Sequence, residues 1–539
     1  MRSVLAVAGT AVLAVLPLFA QPGQPPVASS PKLIVLLVVD QMRSDYVTRF
    51  QNDWTGGLKR LITEGASYSN AAFPYLTTFT CAGHATISTG AFPRSHGVFQ
   101  NAWFNRETGR TVTCTEDRTQ KNIGYFSGPT GGDSAVNLRL PTLADRLRQD
   151  HGARVVSMAL KARSAIMMAG HGGQAVTWLS TAPGGFETSS AFSTGPVPGV
   201  KAFIDANPLK ADFDKVWDRL LPLARYPTAD AGEGEAPPRG WSSTFPHALR
   251  SEDPAVQDQW EMSPYADMYL ARMAAALVES EALGQRDAID MLGVGFSSPD
   301  ILGHAFGPHS QEIQDMYLRL DQTIGTLFDA LDAKVGRGRY VVGLASDHGV
   351  SDMPEQIRSR GQDAGRISSG RLTSIVDAAM QSAFGPGNYV ARLASNDLYF
   401  EPKVYERLQR NSGVMGQVVK TLLAQPGIAA VFRSEELRDP ASLKDPRRRA
   451  AALSYVDGVS GDLRLALKPG WMFATSGTTH GSSNTLDQRV PVIVMGPGVT
   501  PGVYTDAVTP ADLAPTLAAL AGVQLPTAEG QVLSAVRRR

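Results

Sequence analysis

Five short apolar runs, each followed by polar or glycine-rich residues, constrain the fold of this chain more than any other feature. The runs cover residues 33–39, 154–160, 289–296, 340–345 and 490–495. The first is a continuous β-branched and aliphatic stretch, typical of a strand that helices cover on both faces of a parallel sheet. Helical patterns lie between the runs. At Ser263-Pro264, for example, an N-cap residue and a first-turn proline predict a helix that extends to Gly284. The alternation predicts an α/β fold with a mostly parallel central sheet and helices on both faces.

The composition supports a large folded unit and argues against polyanionic partners. Of the 539 residues, 43% are hydrophobic and 19% are charged, as in globular proteins. The 51 lysines and arginines balance 51 aspartates and glutamates, so no net charge draws the chain to nucleic acid or to an anionic membrane. We therefore expect no nucleic acid as a specific partner.

The N-terminus has the pattern of an export signal. Met1-Arg2 precede an apolar stretch over residues 4–19, which predicts a signal peptide over residues 1–20. The polar, proline-rich residues 21–31 predict a leader linker, and an uncleaved anchor is the alternative. No later segment reaches about 18 consecutive apolar residues. We therefore expect no stable membrane insertion after cleavage and a periplasmic or secreted location.

The rest of the chain is predicted to form one domain over residues 32–525 and a C-terminal tail over residues 526–539. Two segments, at about 180–254 and about 353–468, interrupt the alternation of strands and helices. Both are too long for ordinary loops and are interpreted as insertions or a cap over the site. The sequence leaves the oligomeric state open and favours a monomer.

The two cysteines, Cys81 and Cys114, leave two possibilities open. In an oxidising compartment they could form one bridge that closes a loop of about 33 residues. Otherwise they are two small, packed side chains.

Charged and imidazole side chains follow four of the apolar runs. Because the carboxyl ends of parallel strands meet at one edge of a sheet, we expect these side chains to lie together. Three aspartates and three histidines are enough for two three-ligand sites, the pattern of catalytic zinc. Imidazoles among the ligands favour zinc over magnesium or calcium, and manganese and iron stay open. The residues concerned are Asp40, Lys161, Arg163, Asp300, His304, Asp347 and His348, with the distant His480.

The candidate nucleophile is Thr80. It can begin a helix that ends near Gly90, where free N–H groups and the helix dipole favour an anion, although an ordinary N-cap threonine is the alternative. Lys161 and Arg163 are two residues apart and would point the same way on an extended segment. They could clamp a dianion, or they could be two exposed cations at a strand end.

Together these residues resemble the motifs of the alkaline phosphatase superfamily. Within it they are similar to the zinc-dependent branch that contains phosphate-irrepressible alkaline phosphatases and nucleotide pyrophosphatase/phosphodiesterases. The resemblance runs from about Leu33 to Val523, except over the two insertions, and implies an alkaline-phosphatase-like fold. The matching landmarks are Asp40, Thr80 with Gly83-His84, His96-Gly97, Asn101, Asp300 with His304, Asp347-His348-Gly349, His480-Gly481 and residues 512–517.

The resemblance also implies two zinc ions and a covalent mechanism. The implied ligand sets are Asp300, His304 and His480 for one ion, and Asp40, Asp347 and His348 for the other. Thr80 would coordinate the second ion and attack phosphorus, giving a phosphothreonine that is then hydrolysed. Asn101 and the backbone N–H that follows Thr80 would bind phosphate oxygens.

Lys161 and Arg163 match the Lys-x-Arg feature of the monoesterases in this branch. A monoester has a third charged oxygen, which two cations can serve, whereas a diester does not. The favoured hypothesis is an exported alkaline phosphatase of broad specificity for small phosphate monoesters, best at alkaline pH. A phosphodiesterase or nucleotide pyrophosphatase with the same metals is the alternative, because Ala162 stands where an acidic residue is common.

Two further hypotheses are weaker. A sulfatase would need a proline and an arginine downstream of its formylglycine precursor, and the segment from Cys81 to Ala85 lacks both. A metal-stabilised binding protein without turnover conflicts with the intact Thr80 and Asn101. Packing or indirect supporting roles are assigned to His84, His96, His171 and His309, whereas His151 and His247 carry no signal.

Overall fold

The computed structural model describes residues 30–126, 128, 131–180, 185–446 and 448–536. The predicted signal peptide and nearly all of the predicted leader lie outside these residues.

Each of the five predicted apolar runs forms a strand, and the structure contains further strands that were not predicted from the sequence. The strands are β1 (Leu33–Val39), β2 (Ala66–Tyr68), β3 (Ala102–Asn105), β4 (Arg110–Thr113), β5 (Asn122–Gly124), β6 (Val155–Ala159), β7 (Ala175–Leu179), β8 (Phe186–Ser189), β9 (Val216–Trp217), β10 (His247–Ala248), β11 (Asp290–Phe296), β12 (Tyr340–Ala345), β13 (Gly365–Arg366), β14 (Val390–Ala394), β15 (Asp397–Phe400), β16 (Ile428–Arg433), β17 (Leu463–Leu467), β18 (Trp471–Met472), β19 (Val492–Met495) and β20 (Gly502–Tyr504).

The helices fill the intervals between the strands. They are α1 (Ser44–Phe50), α2 (Gly57–Glu64), α3 (Thr80–Thr89), α4 (Pro93–His96), α5 (Leu143–His151), α6 (Ala162–Ala169), α7 (Pro198–Ala206), α8 (Val256–Met262), α9 (Pro264–Ser280), α10 (Ser298–Phe306), α11 (Gln311–Leu331), α12 (Pro354–Ser359), α13 (Ser369–Phe384), α14 (Val404–Gln409), α15 (Ser412–Leu423), α16 (Ser434–Arg438), α17 (Arg449–Leu453), α18 (Thr485–Gln488) and α19 (Leu513–Ala521). Ser263 caps α9 as predicted, and the helix ends four residues before Gly284.

A ten-stranded sheet forms the centre of the molecule, in the order β20-β2-β19-β12-β1-β11-β6-β7-β8-β5. Its central strands β12, β1, β11, β6 and β7 run parallel to one another. Alternate residues of β1 enter two different cores: Leu33, Val35 and Leu37 pack on one face, whereas Ile34, Leu36 and Val38 pack on the other. The prediction of an α/β fold with helices on both faces of the sheet is confirmed.

The sheet is more mixed than the sequence suggests. Strand β19, formed by the last apolar run, pairs antiparallel with β12, and Ala345 lies opposite Val492. The beginning of β19 therefore lies at the same edge as the end of β12. Residues that precede β19 in the chain reach that edge, and this brings His480 to it from a distant part of the sequence.

The segment predicted as the second insertion folds around a sheet of its own, in the order β14-β15-β17-β16. Helices α13 and α15 pack on this sheet and form a separate apolar core that includes Val376, Leu398, Val418 and Leu465. Its role as a cap stays a prediction. In the first predicted insertion, β9 and β10 form a two-stranded antiparallel sheet. Near the C-terminus, Leu533 and Ala535 are buried in the core that contains Ile34 and Leu36.

Among the residues of the chain that have described coordinates, no helix combines the length and the apolar character needed to cross a membrane.

Candidate active site

The carboxyl ends of the parallel strands bring the predicted residues together. Asp40 follows β1 directly, Asp347 and His348 follow β12 after one residue, and Asp300 lies in the first turn of α10, just beyond β11. These strands are neighbours in the sheet, so the three aspartates meet at one edge. All three are almost completely buried, and carboxylates held out of water need nearby positive charge.

Asp300, His304 and His480 form the first of two groups whose potential ligand atoms all lie within 4.8 Å of one another. Nε2 of His304 is 3.3 Å and Nε2 of His480 is 3.6 Å from Oδ1 of Asp300. Nδ1 of His304 bonds to the Thr478 carbonyl at 2.8 Å, and Nδ1 of His480 bonds to the Thr78 carbonyl at 2.7 Å. A carbonyl only accepts, so each Nδ1 carries a hydrogen and Nε2 faces the carboxylate, the orientation of a metal-ligating histidine.

Asp40, His84 and Asp347 form the second group. Nδ1 of His84 donates to the Thr80 carbonyl at 3.0 Å, and its Nε2 lies 3.5 Å from Oδ1 of Asp40. Oδ1 of Asp40, Nε2 of His84 and Oδ2 of Asp347 are buried and have no hydrogen-bond partner in the described structure. Buried polar atoms are normally satisfied. Three unsatisfied atoms of these types, facing each other, fit a bound cation.

His348 lies beside the second group. Its Nε2 is 3.2 Å from Oδ2 of Asp347 and 3.4 Å from the hydroxyl oxygen of Thr80. Its ring stacks on that of His480, with the centroids 3.4 Å apart. His348 therefore borders both groups. Its assignment as the third ligand beside Asp40 and Asp347 stays a prediction, and His84, to which the sequence assigns only a supporting role, is equally well placed.

Lys161 pairs with the buried carboxylates. Its Nζ lies 2.8 Å from Oδ2 of Asp40 and 2.5 Å from Oδ2 of Asp300. Burial opposes the lysine charge, but Asp300 and Asp40 outweigh this effect and raise the pKa of Lys161. Burial and the neighbouring Asp347 raise the pKa of Asp40. The Asp40 carboxylate therefore binds a proton more readily unless nearby positive charge compensates its negative charge.

Lys161 and Arg163 do not lie on an extended segment, as their spacing suggested. Lys161 is the N-cap of α6, and Arg163 lies in the first turn of that helix. The chain turns into a helix directly after β6, so the alternation of side chains in a strand does not apply to this pair. Nε of Arg163 is buried and has no hydrogen-bond partner among the residues described.

Thr80 is the first residue of α3, and the helix ends at Gly90, both as predicted. Gly90 has a left-handed conformation. All ten residues of α3 are buried. The N–H of Cys81 donates to Oδ1 of Asn101 at 2.8 Å. This N–H and Asn101 are therefore adjacent, as the role predicted for them requires. Because they are bonded to each other here, the amide nitrogen of Asn101 is the group left for an oxygen of a ligand.

Cys81 and Cys114 form a disulfide, which resolves the choice that the sequence left open. The N–H of Cys114 donates to the carbonyl of Asn101 at 2.9 Å. Both half-cystines thus bond to Asn101, and the bridge holds this residue against the first turn of α3.

Four further histidines have other partners. His96 bonds to Thr86 at 3.1 Å, and burial lowers the pKa of His96 to about 3. His171 pairs with Asp145, His309 with Asp352, and His247 with Glu312. Gln41 contacts two of the aspartates and was not predicted from the sequence. Its position directly after Asp40 was the only signal available.

Comparisons with known proteins agree with this fold. The profile of the family described as type I phosphodiesterase / nucleotide pyrophosphatase matches residues 34–489. Alkaline phosphatase PafA of Elizabethkingia meningoseptica is 32% identical over 510 residues, which cover 92% of each chain. Alkaline phosphatase PhoV of Synechococcus elongatus is 32% identical over 525 residues, or 95% of this chain and 94% of that protein. The crystal structure of wild-type PafA superposes with a TM-score of 0.88 at 31% identity, covering 94% of this chain and 99% of PafA.

Proposed function

The chain belongs to the type I phosphodiesterase / nucleotide pyrophosphatase family, and we propose that it is an exported, metal-dependent alkaline phosphatase of broad specificity for phosphate monoesters. The observation that carries this proposal is the meeting of Thr80 with two groups of metal-type ligands at one edge of the sheet. A hydroxyl is a weak nucleophile and needs activation, which a neighbouring metal ion can supply.

Two zinc ions are the proposed cofactors. Asp300, His304 and His480 would hold the first. Asp40 and Asp347 would hold the second, together with an imidazole that borders them. When bound, the ions supply positive charge that stabilises the attacking and leaving oxygens of phosphoryl transfer. The mixture of imidazole and carboxylate ligands favours zinc over metals that prefer oxygen alone.

Thr80 is proposed to attack phosphorus. A bond forms between its hydroxyl oxygen and phosphorus while the bond to the ester oxygen breaks, and the alcohol leaves. Water then cleaves the phosphothreonine, which releases phosphate and restores the hydroxyl. The position of Thr80 at the start of a buried helix supports this role, because the helix dipole favours the negative charge that collects there.

Lys161, Arg163 and Asn101 are proposed to bind the phosphoryl oxygens. Lys161 already lies against the carboxylates of both ligand groups, and the guanidinium of Arg163 can bind two oxygens of one phosphoryl group. A monoester carries one more charged oxygen than a diester, so a pair of cations favours the monoester.

Export is supported by two independent features. The first is the charged start and apolar stretch at the N-terminus. The second is the Cys81–Cys114 disulfide, since such bridges persist mainly in oxidising compartments.

Hydrolysis of matched phenyl phosphate monoesters and diesters tests this proposal. We expect about two zinc ions per chain, activity that is lost on chelation and restored by zinc, and a strong preference for the monoester. Lys161→Ala and Arg163→Ala should lower kcat/KM for the monoester by about 100-fold or more and leave the diester rate nearly unchanged. Lys201→Ala, which removes a surface lysine paired with Asp205, is the matched control. A preference for the diester, or full activity without metal, would refute the proposal.

A further inference from the structure

Gln41 is a buried residue with an unusual backbone. It follows Asp40 at the end of β1, is 1% exposed, and has a φ of 64°. This left-handed region strongly favours glycine, because a Cβ crowds the following carbonyl. A buried non-glycine residue in this conformation is strained, and such strain persists where the surroundings impose it, often at functional sites.

The strained conformation allows Gln41 to donate in two directions. Its backbone N–H donates to Oδ1 of Asp347 at 3.1 Å. Its side-chain Nε2 donates to Oδ1 of Asp300 at 2.6 Å. Asp347 belongs to one ligand group and Asp300 to the other, so this residue bonds to a carboxylate of each.

Each bond restricts the rotation of a carboxylate. Because Oδ1 of Asp347 accepts from Gln41, Oδ2 is turned toward His84 and His348. Oδ1 of Asp300 faces His304 and His480 while it accepts from the glutamine amide. An amide donor compensates part of the carboxylate charge without competing as a ligand, since the donating NH₂ has no lone pair available for a cation.

Gly303 leaves the space that the side chain of Gln41 occupies. A Cβ built on Gly303 would lie 2.0 Å from Oε1 of Gln41. Gly303 stands between Asp300 and His304 in α10. Any larger residue there would push the glutamine amide away from Asp300 or displace the helix that carries two residues of the first group.

We propose that Gln41 is a positioning residue that couples the two ion sites by fixing the orientation of Asp300 and Asp347. The inference rests on the proposed function in so far as the two groups bind metal ions. Its specific content is that the side-chain amide of Gln41 supports the Asp300 group, whereas the backbone N–H of the same residue supports the Asp347 group.

Gln41→Gly tests this assignment with little risk to folding. Glycine accepts the φ of 64° without strain and keeps the backbone N–H, but it has no amide. We expect unchanged or higher thermal stability in the presence of chelator. Zinc content at a buffered free zinc concentration should fall from about two ions to about one per chain, with about 10–100-fold weaker binding at the Asp300 group. In the cobalt-substituted protein, the absorption of one site should change and that of the other should persist.

Two further variants keep the test decisive. Gln41→Glu has the same shape but replaces the donor with a second carboxylate, and should change zinc affinity and the visible cobalt spectrum more than the glycine variant does. Gly303→Ala should weaken zinc binding in the wild-type background and have little added effect in the Gln41→Gly background, because the side chain it strikes is then absent. Gln259→Ala, which removes a buried glutamine that donates to the Arg239 carbonyl, is the control and should retain both ions.

The outcomes separate this inference from the proposed function. A wild-type protein without bound ions or phosphatase activity would refute the proposed function. The positioning role alone would be refuted if the wild-type protein bound two ions and the Gln41→Gly and Gln41→Glu variants had unchanged zinc affinity, cobalt spectrum and kcat.

Discussion

The hydroxyl oxygen of Thr80 lies 3.4 Å from Nε2 of His348. The two residues belong to different elements, since Thr80 begins α3 and His348 follows β12. This contact places the hydroxyl at the border between the two ligand groups. The Thr80 hydroxyl therefore lies near the ligand groups because α3 is positioned against the end of β12.

Replacement of Thr80 should remove catalysis and preserve the fold. Thr80→Ala deletes the proposed nucleophile, and we expect kcat to fall by about 1,000-fold or more, whereas Thr80→Ser retains a hydroxyl and much of the activity. Mass spectrometry of acid-quenched protein should detect a phosphorylated peptide containing residue 80 in the wild type and in the serine variant. Thr188→Ala, at another buried threonine, is the control and should stay active. A phosphorylated peptide elsewhere would contradict the role of Thr80.

The disulfide should stabilise both the fold and the position of Asn101. Closing a loop of this length lowers the entropy of the unfolded chain, and the expected contribution is roughly 3–4 kcal/mol. The Cys81→Ala/Cys114→Ala double variant should therefore have a lower Tm. Because both cysteine N–H groups bond to Asn101, it should also bind inorganic phosphate less tightly at a temperature where it remains folded.

Phosphate affinity measured by competitive inhibition separates these two effects. Asn101→Ala in the oxidised protein should lose affinity with a smaller change in Tm. An unchanged phosphate affinity in the double variant would mean that the bridge stabilises the fold without supporting Asn101.

The buried Glu312 should make stability depend on pH. Its Oε1 lies 3.0 Å from Nε2 of His247. Burial raises the pKa of Glu312 from 4.5 to about 8, and it lowers the pKa of His247 to about 4. Between pH 4.5 and about 8 the unfolded chain releases the glutamate proton and the folded chain keeps it. The contribution of Glu312 to the free energy of unfolding therefore falls as pH rises through this window, by up to about 1.4 kcal/mol per unit.

Glu312→Gln tests this dependence, because the glutamine amide can donate to His247 and does not titrate. The Tm of the wild type should decline relative to that of the variant between pH 5 and pH 8. Glu279→Gln, at an exposed glutamate paired with Lys334, should leave the wild-type slope unchanged. Parallel curves for the wild type and Glu312→Gln would show that Glu312 is ionised in the folded protein at neutral pH.

Much of the site could be predicted because strand ends carry a simple signal. A buried strand has an apolar sequence, and the polar residues that follow it lie at an edge of the sheet. This signal alone predicts that Asp40, Asp300 and Asp347 lie together. The helix signals around Thr80 were equally local, since a glycine in the left-handed conformation ends α3 at Gly90.

The remaining features depend on contacts between distant segments. No local pattern reveals that β19 pairs antiparallel with β12, and this pairing is what brings His480 to the site. The left-handed backbone of Gln41 is invisible in a sequence, because the residue type argues against it. The orientation of His84 depends on a bond to the Thr80 carbonyl within α3, which spacing permits but does not require.

Helix α3 lies against the end of β12 at Gly83, and an alanine there should separate Thr80 from the ligand groups. A Cβ on Gly83 would lie 2.1 Å from the carbonyl oxygen of Asp347. That atom belongs to the backbone and cannot turn away, so the helix or the strand end must move. We expect Gly83→Ala to lower stability by about 1–3 kcal/mol.

The folded Gly83→Ala protein should also lose about 100-fold in kcat, because a displacement of about 1 Å is enough to misalign a nucleophile. Gly370→Ala is the matched control: it also replaces a helical glycine, but a Cβ there meets no atom within 4 Å. It should leave kcat unchanged and raise Tm slightly, since alanine favours the helix. Thermal unfolding and kcat at saturating zinc measure both effects. A Gly83→Ala variant with wild-type kcat would show that the spacing between α3 and Asp347 does not control the reaction.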